Sequence, residues 1–254
     1  MTLFFRSYAS EWIKKKRSAA DFLVIAGGFF VPFIVLLARF NNFNGLPAAN
    51  ASPQVWHMLF MQCWKVMALF FLPMGVILAS SLVTQLEFKN NAWKQLCTTP
   101  QTFTNIYFTK LAVILTMMLQ FLLIFNVGIY LTGVIPVVFS GVPYPVQPFP
   151  FSYMLATSGA YFACCLPVIA LQYLLSLQCK NFLIPVGVGL AVYVAALFSL
   201  NWRYSYIVPY SYSALNFFAA ENNRPTTVKW LSTAYFIVFI TAGYILYISK
   251  KEKG

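Results

Sequence analysis

One histidine, five carboxylates and five cysteines are what this 254-residue chain offers to bond-making chemistry, and their spacing assembles none of the common machinery. His57 has no second imidazole and no H-E-x-x-H around it, which argues against a metalloprotease or a His-bound metal. There is no G-x-S-x-G elbow to expose a nucleophilic serine. Cys63, Cys97, Cys164, Cys165 and Cys179 lack zinc-type spacing with a histidine nearby, and the adjacent Cys164 and Cys165 read as small apolar packing residues. No G-x-x-x-x-G-K-[ST] loop is present to cradle phosphates. The expectation is a chain that is not an enzyme and has no catalytic residue, metal or cofactor of its own. If it does work, the energy comes from elsewhere.

The elements that must hold these residues follow from composition. The chain is 60% hydrophobic and only 9% charged, against about a quarter charged in ordinary soluble domains. From Leu111 through Cys179 no Asp, Glu, Lys, Arg or His occurs. That is room for two membrane spans of about 20 residues and a turn. Six uncharged runs qualify, giving expected spans at about 22–40, 57–84, 104–133, 152–177, 181–200 and 230–249. Lipid offers backbone amides no partner, so the runs must be helices, and no period-two alternation suggests a barrel. The expected fold is an all-α polytopic membrane protein of one domain, residues 1–254.

Glu11, Asp21, Glu87, Glu221 and Glu252 all fall outside these runs. Proton-driven transport needs a carboxylate that binds and releases its proton inside the bilayer, so that class is disfavoured. The net charge of +12 would raise nucleic acid for a soluble protein. Here the basic residues flank apolar runs and act as topology signals instead. With the N-terminus in the cytoplasm, twelve of the seventeen basic residues lie inside, which places both termini there. Arg203, Arg224 and Lys229 in one late outer loop run against that count.

Lys14, Lys15, Lys16 and Arg17 before an apolar run imitate a secretory leader, and Ala49-Asn50-Ala51 imitates a cleavage site. The run Phe22 to Ala38 is span-length and the triplet lies well past its end, so an uncleaved first helix is the better account. Within 1–20, Phe4, Tyr8 and Trp12 recur at about helical spacing and Lys14 follows. This is the pattern of an interfacial amphipathic helix on membrane lipid.

Asn41 to Val55 reads as an irregular outer loop. Pro143, Pro145, Pro148 and Pro150 forbid a helix and suggest a stiff extended crossing. The aromatic segment 201–229 reads as an outer, re-entrant pair of short helices in preference to an interfacial belt, because Leu215, Phe217 and Phe218 have no other shelter. His57 reads as an anchor beside Trp56. Lys65, about nine residues below Trp56, reads as snorkelling to the outer headgroups, with a substrate contact as the alternative.

Between the second and third runs, segment 85–103 carries Glu87, Trp93, Lys94, Leu96 and Pro100, with Tyr107 and Lys110 just beyond. A charge followed by a bulky anchor is the residue usage of a protein contact, and a solvated loop is the equal alternative. A partner moving such a handle would tilt both flanking helices.

Ser10-Glu11-Trp12-Ile13-Lys14 with Arg17-Ser18 resembles the E-x-x-K…RS opening of ABC-2 type permeases. Glu87, Trp93, Lys94, Leu96, Pro100, Tyr107 and Lys110 are similar to that family's E…W…L…P…Y…K block. Pro209-Tyr210-Ser211-Tyr212 is like its late P-x-S-Y element. Size and layout look most like the permeases of bacteriocin or lantibiotic self-protection exporters. The Pro143–Pro150 crossing has no counterpart in that pattern.

The resemblance implies a half-transporter in a bacterial inner membrane. A second permease chain, identical or paralogous, completes the path, and separate ABC ATPase subunits, holding ATP and Mg, grip Glu87 to Pro100 as the coupling segment. An exported apolar or amphipathic molecule (peptide, lipid-like compound or drug) fits the uncharged walls. The alternative is a non-transporting scaffold or sensor that recruits a cytoplasmic partner.

Overall fold

The structure is a computed structural model that describes residues 2–16, 18–89, 102–221 and 228–251, with backbone alone at 2–3, 86–89, 140, 221 and 250–251. Among the described residues every regular element is helical. Helix α1 (Thr2–Lys15) precedes α2 (Ala19–Asn41) and the short α3 (Leu46–Ala51). The next span is α4 (Val55–Val66), a π turn (Met67–Phe71) and α5 (Leu72–Lys89) in sequence. Then follow α6 (Phe103–Ser140), α7 (Phe151–Gln178), α8 (Leu183–Phe198), α9 (Tyr212–Glu221) and α10 (Val228–Lys251).

Among the described residues six helical segments are long and apolar enough to cross a bilayer: Ala19–Asn41, Val55–Gln85, Phe103–Phe139, Phe151–Gln178, Leu183–Asn201 and Val228–Ser249. The protein is an all-α, multi-pass membrane protein. We call the end where α6 starts the lower end, and the end where it stops the upper.

Helix α6 runs seven residues past position 133, the expected end of the third span. Pro136 forfeits one backbone bond but does not break the helix. The helix stops instead at Gly141, whose φ of 63° only glycine adopts freely. Residues 41–55 also depart from the irregular loop expected of them. A 3-10 turn at Phe43–Gly45 leads into α3, whose first turn is preset by Pro47.

Prolines within spans leave carbonyls without a donor, and two of these are met from other helices. Pro73 has no N–H for the Leu69 carbonyl four residues back, and the Tyr193 hydroxyl of α8 donates to it. Pro167 likewise frees the Ala163 carbonyl, which accepts from the Ser232 hydroxyl of α10. In lipid, donors from neighbouring helices do what bulk water does for a soluble helix. Each repair also welds two helices together.

The core lies along α4 to α7. Trp64 stacks on Tyr161 with centroids 3.9 Å apart and meets Phe125 edge-on. Helices α2 and α6 run in the same direction and close on each other at Gly128, where a Cβ would lie 2.8 Å from Pro32. At the upper end Trp56 donates from Nε1 to the Gln147 carbonyl, and the buried Asn50 donates to the Pro143 carbonyl. These two bonds hold the proline-rich crossing onto the bundle.

Candidate functional site at the lower end of the bundle

Helix α6 begins at Phe103, where segment 85–103 ends. Thr102 caps it, accepting from the Asn105 amide. One turn on, Tyr107 is buried, and its hydroxyl donates to the Ile240 carbonyl of α10 at 3.0 Å. The Tyr107 carbonyl in turn accepts from the Tyr173 hydroxyl of α7 at 2.9 Å. Thr104 shares a 2.7 Å hydrogen bond with Tyr244, adding a second tie to α10.

The next turn carries Lys110, only 1% exposed, with Nζ 3.2 Å from Glu11 Oε2 of α1. Glu11 holds Lys14 through its other oxygen at 2.5 Å. Burial pushes the Glu11 carboxyl up, but the charge of Lys110 and the hydrogen bond from Lys14 outweigh it, so its pKa stays below the ordinary 4.5. Lys15, also 1% exposed, pairs with Asp21 at 2.7 Å and donates to Gln120 of α6 at 2.9 Å. Its ammonium lies 4.2 Å from the Trp12 ring centre. The Tyr8 hydroxyl donates to Thr116. Helix α1 is thus bonded to α6 through both charge and hydrogen bonds.

The residues expected on an interfacial helix are placed in two ways. Tyr8 and Trp12 are half-buried and pack on the core, while Phe4 is half-buried beside Phe5. Lys14 stays exposed on Glu11. The large apolar side chains of α1 that face outward are Phe5 and Ile13. Of the expected coupling residues, Glu87 lies near the end of α5. Trp93, Lys94, Leu96 and Pro100 lie outside the described residues.

Sequence reasoning missed Lys15, Asp21 and Gln120 as partners, and it treated Glu11 and Lys110 as parts of separate motifs. They are 99 positions apart, and no local pattern joins them. The late motif also acquires a physical role. Tyr210 is buried and donates to Gln172 Oε1 at 3.1 Å, while Gln172 Nε2 donates to Ser81 and to the Pro185 carbonyl. Ser211 and Tyr212 donate to the carbonyls of Ser205 and Tyr206, closing the 3-10 turns that lead into α9. Phe217 of α9 is buried, whereas Phe218 is half-exposed.

The bonds at this end join helices to one another: α6 to α1, α7 and α10.

The family described as "ABC-2 family transporter protein" matches residues 8–196, a stretch that includes Glu11, Tyr107 and Lys110 and stops short of Pro209–Tyr212. No curated protein and no solved structure matches the chain. With the family's profile extending from α1 through most of α8, the chain belongs to the ABC-2 family of transporter proteins.

Proposed function

We propose that the chain is the transmembrane permease subunit of an ATP-driven exporter in a bacterial inner membrane, with both termini and segment 85–103 on the cytoplasmic side. ATP, with Mg, is hydrolysed by separate ABC ATPase subunits docked beneath. A second permease chain, identical or paralogous, completes the path. The lower end of the bundle is the cytoplasmic end in this reading.

The observation that carries it is the fastening of α6. Within its first two turns that helix is bonded to α10 and α7 through Tyr107 and to α1 through Lys110. A displacement of segment 85–103 is therefore delivered to three further helices at once instead of being absorbed in α6. Packed helices respond to such a push by switching between discrete arrangements, and the ATPase drives the switch by binding one arrangement better.

An apolar or amphipathic cargo, such as a peptide, a lipid-like compound or a drug, suits the surfaces available. The cleft between α6 and α7 has a volume of about 420 Å³ and is lined by side chains such as Leu122, Val127, Met154 and Phe162. Self-protection against bacteriocins is the setting we infer, where an amphipathic peptide is removed from the membrane that it attacks.

The test is to purify the tagged chain from its native membrane and reconstitute the complex in vesicles. An ATP-hydrolysing subunit that copurifies, and ATP-dependent movement of an amphipathic peptide, are expected. Absence of that subunit would discard the permease reading in favour of a scaffold, and transport of a small hydrophilic ion would discard the cargo class.

A further inference from the structure

Among the described residues Lys65 is the charged residue set furthest into a span, and the unbroken helix α4 fixes its distance below Trp56. From Trp56, whose indole is tied to the upper crossing, nine residues of helix descend about 14 Å. A lysine side chain reaches back roughly 6 Å, so snorkelling does not bring its ammonium to the level of Trp56. Lys65 faces outward, and among the described residues no acid pairs with it.

It does not stand alone. One turn above it Gln62 is exposed on the same face and lines a cavity of about 230 Å³ with Met58 and Arg39. The Arg39 guanidinium donates from Nη2 to Asn50, and its buried Nε has no partner. Lys65 and Gln62 therefore offer donors along one side of α4, and Gln62 shares its cavity with Arg39 of α2, whose guanidinium keeps an unused donor. Of the chain's acids Asp21 alone falls within a span, near the start of α2 at the lower end, where it pairs with Lys15. An uncompensated ammonium at this depth is costly, and its partner is an anion brought in from outside the chain.

We infer that Lys65, with Gln62 and Arg39 above it, forms a binding site for the anionic head group, phosphate or carboxylate, of an alkyl-chain amphiphile. The exposed Met58, Val66 and Phe70 beside the donors supply the apolar surface for its tail. This deepens the permease reading by naming its substrate class and rests on it for the word substrate; the binding itself is independent of the ATPase.

The purified chain in phosphatidylcholine nanodiscs is titrated with dodecyl phosphate, with dodecyl phosphocholine and with inorganic phosphate. Dodecyl phosphate is expected to bind at least tenfold tighter than the zwitterion, and inorganic phosphate is expected not to compete. Lys65→Gln should lose that tenfold preference and Lys65→Arg should keep it, with thermal stability unchanged in both. Equal binding of the two amphiphiles to the wild type, or full preference retained in Lys65→Gln, would overturn the site. Competition by inorganic phosphate would overturn the amphiphile in favour of a free anion. Copurification of an ATPase decides the permease reading separately, so the two can fail independently.

Discussion

Lys110 Nζ rests 3.2 Å from Glu11 Oε2, joining the N-terminal helix to the second turn of the helix that leaves the polar segment between spans two and three. Their side chains are 2% and 11% exposed, so the pairing offsets the cost of burying two charges. Glu11→Gln removes the carboxylate charge that Lys110 pairs with and is expected to cost about 3 kcal/mol. Lys110→Met leaves Glu11 with the exposed Lys14 and should cost less. Thermal unfolding of the two single variants and the double variant checks this order. Equal, small losses would contradict the pairing.

The same pair sets an acid limit. Because the folded Glu11 carboxyl titrates below its ordinary 4.5, its contribution is complete above that pH and is lost as the pH falls through the lower folded value. Unfolding temperature followed from pH 7 down to pH 3 should show a fall that Glu11→Gln reduces. An identical pH profile in that variant would exclude Glu11 as the group responsible.

Proline 73 and Tyr193 make a separable test. Tyr193→Phe leaves the Leu69 carbonyl without a donor and should destabilise by about 1–3 kcal/mol. Pro73→Ala restores a local N–H, so in that background Tyr193→Phe should cost much less. A double-mutant cycle measures the coupling, and additive costs would show that the hydroxyl is not repairing the proline's gap.

The upper end is tightest at Gly133, where a Cβ would lie 2.4 Å from the Trp56 ring. That ring has no room to yield, being 3% exposed, stacked on Tyr130 and edge-on to Phe149. Gly133→Ala should cost about 1–3 kcal/mol by overpacking, read as a lowered unfolding temperature and a shift in tryptophan emission. An unchanged emission spectrum would mean that the crossing moves freely with Trp56.

Much of this fold was legible because lipid simplifies the code. Uncharged runs of span length have to be helices, so the six candidate spans could be read from composition alone. What stayed hidden was pairing across distance. Glu11 and Lys110 were each visible as charges at the edge of apolar sequence, but only the packing of α1 on α6 brings them together. Tyr193 and Ser232 looked like ordinary span residues, since a hydroxyl that repairs a proline gap carries no local signature. Lys65 could be placed in the second span about nine residues below Trp56, yet the cavity that Gln62, one turn above it, shares with Arg39 needed the packing of α2 on α4.

The most direct test of the account concerns the segment between α5 and α6 as the point where outside energy enters. The complex with its copurified ATPase is reconstituted in nanodiscs, and ATP hydrolysis is measured for the wild type and for Glu87→Arg combined with Trp93→Ala. The account predicts that the double variant keeps the wild-type unfolding temperature while its stimulated hydrolysis falls to the rate of the isolated ATPase. Full stimulation in the folded double variant would contradict it.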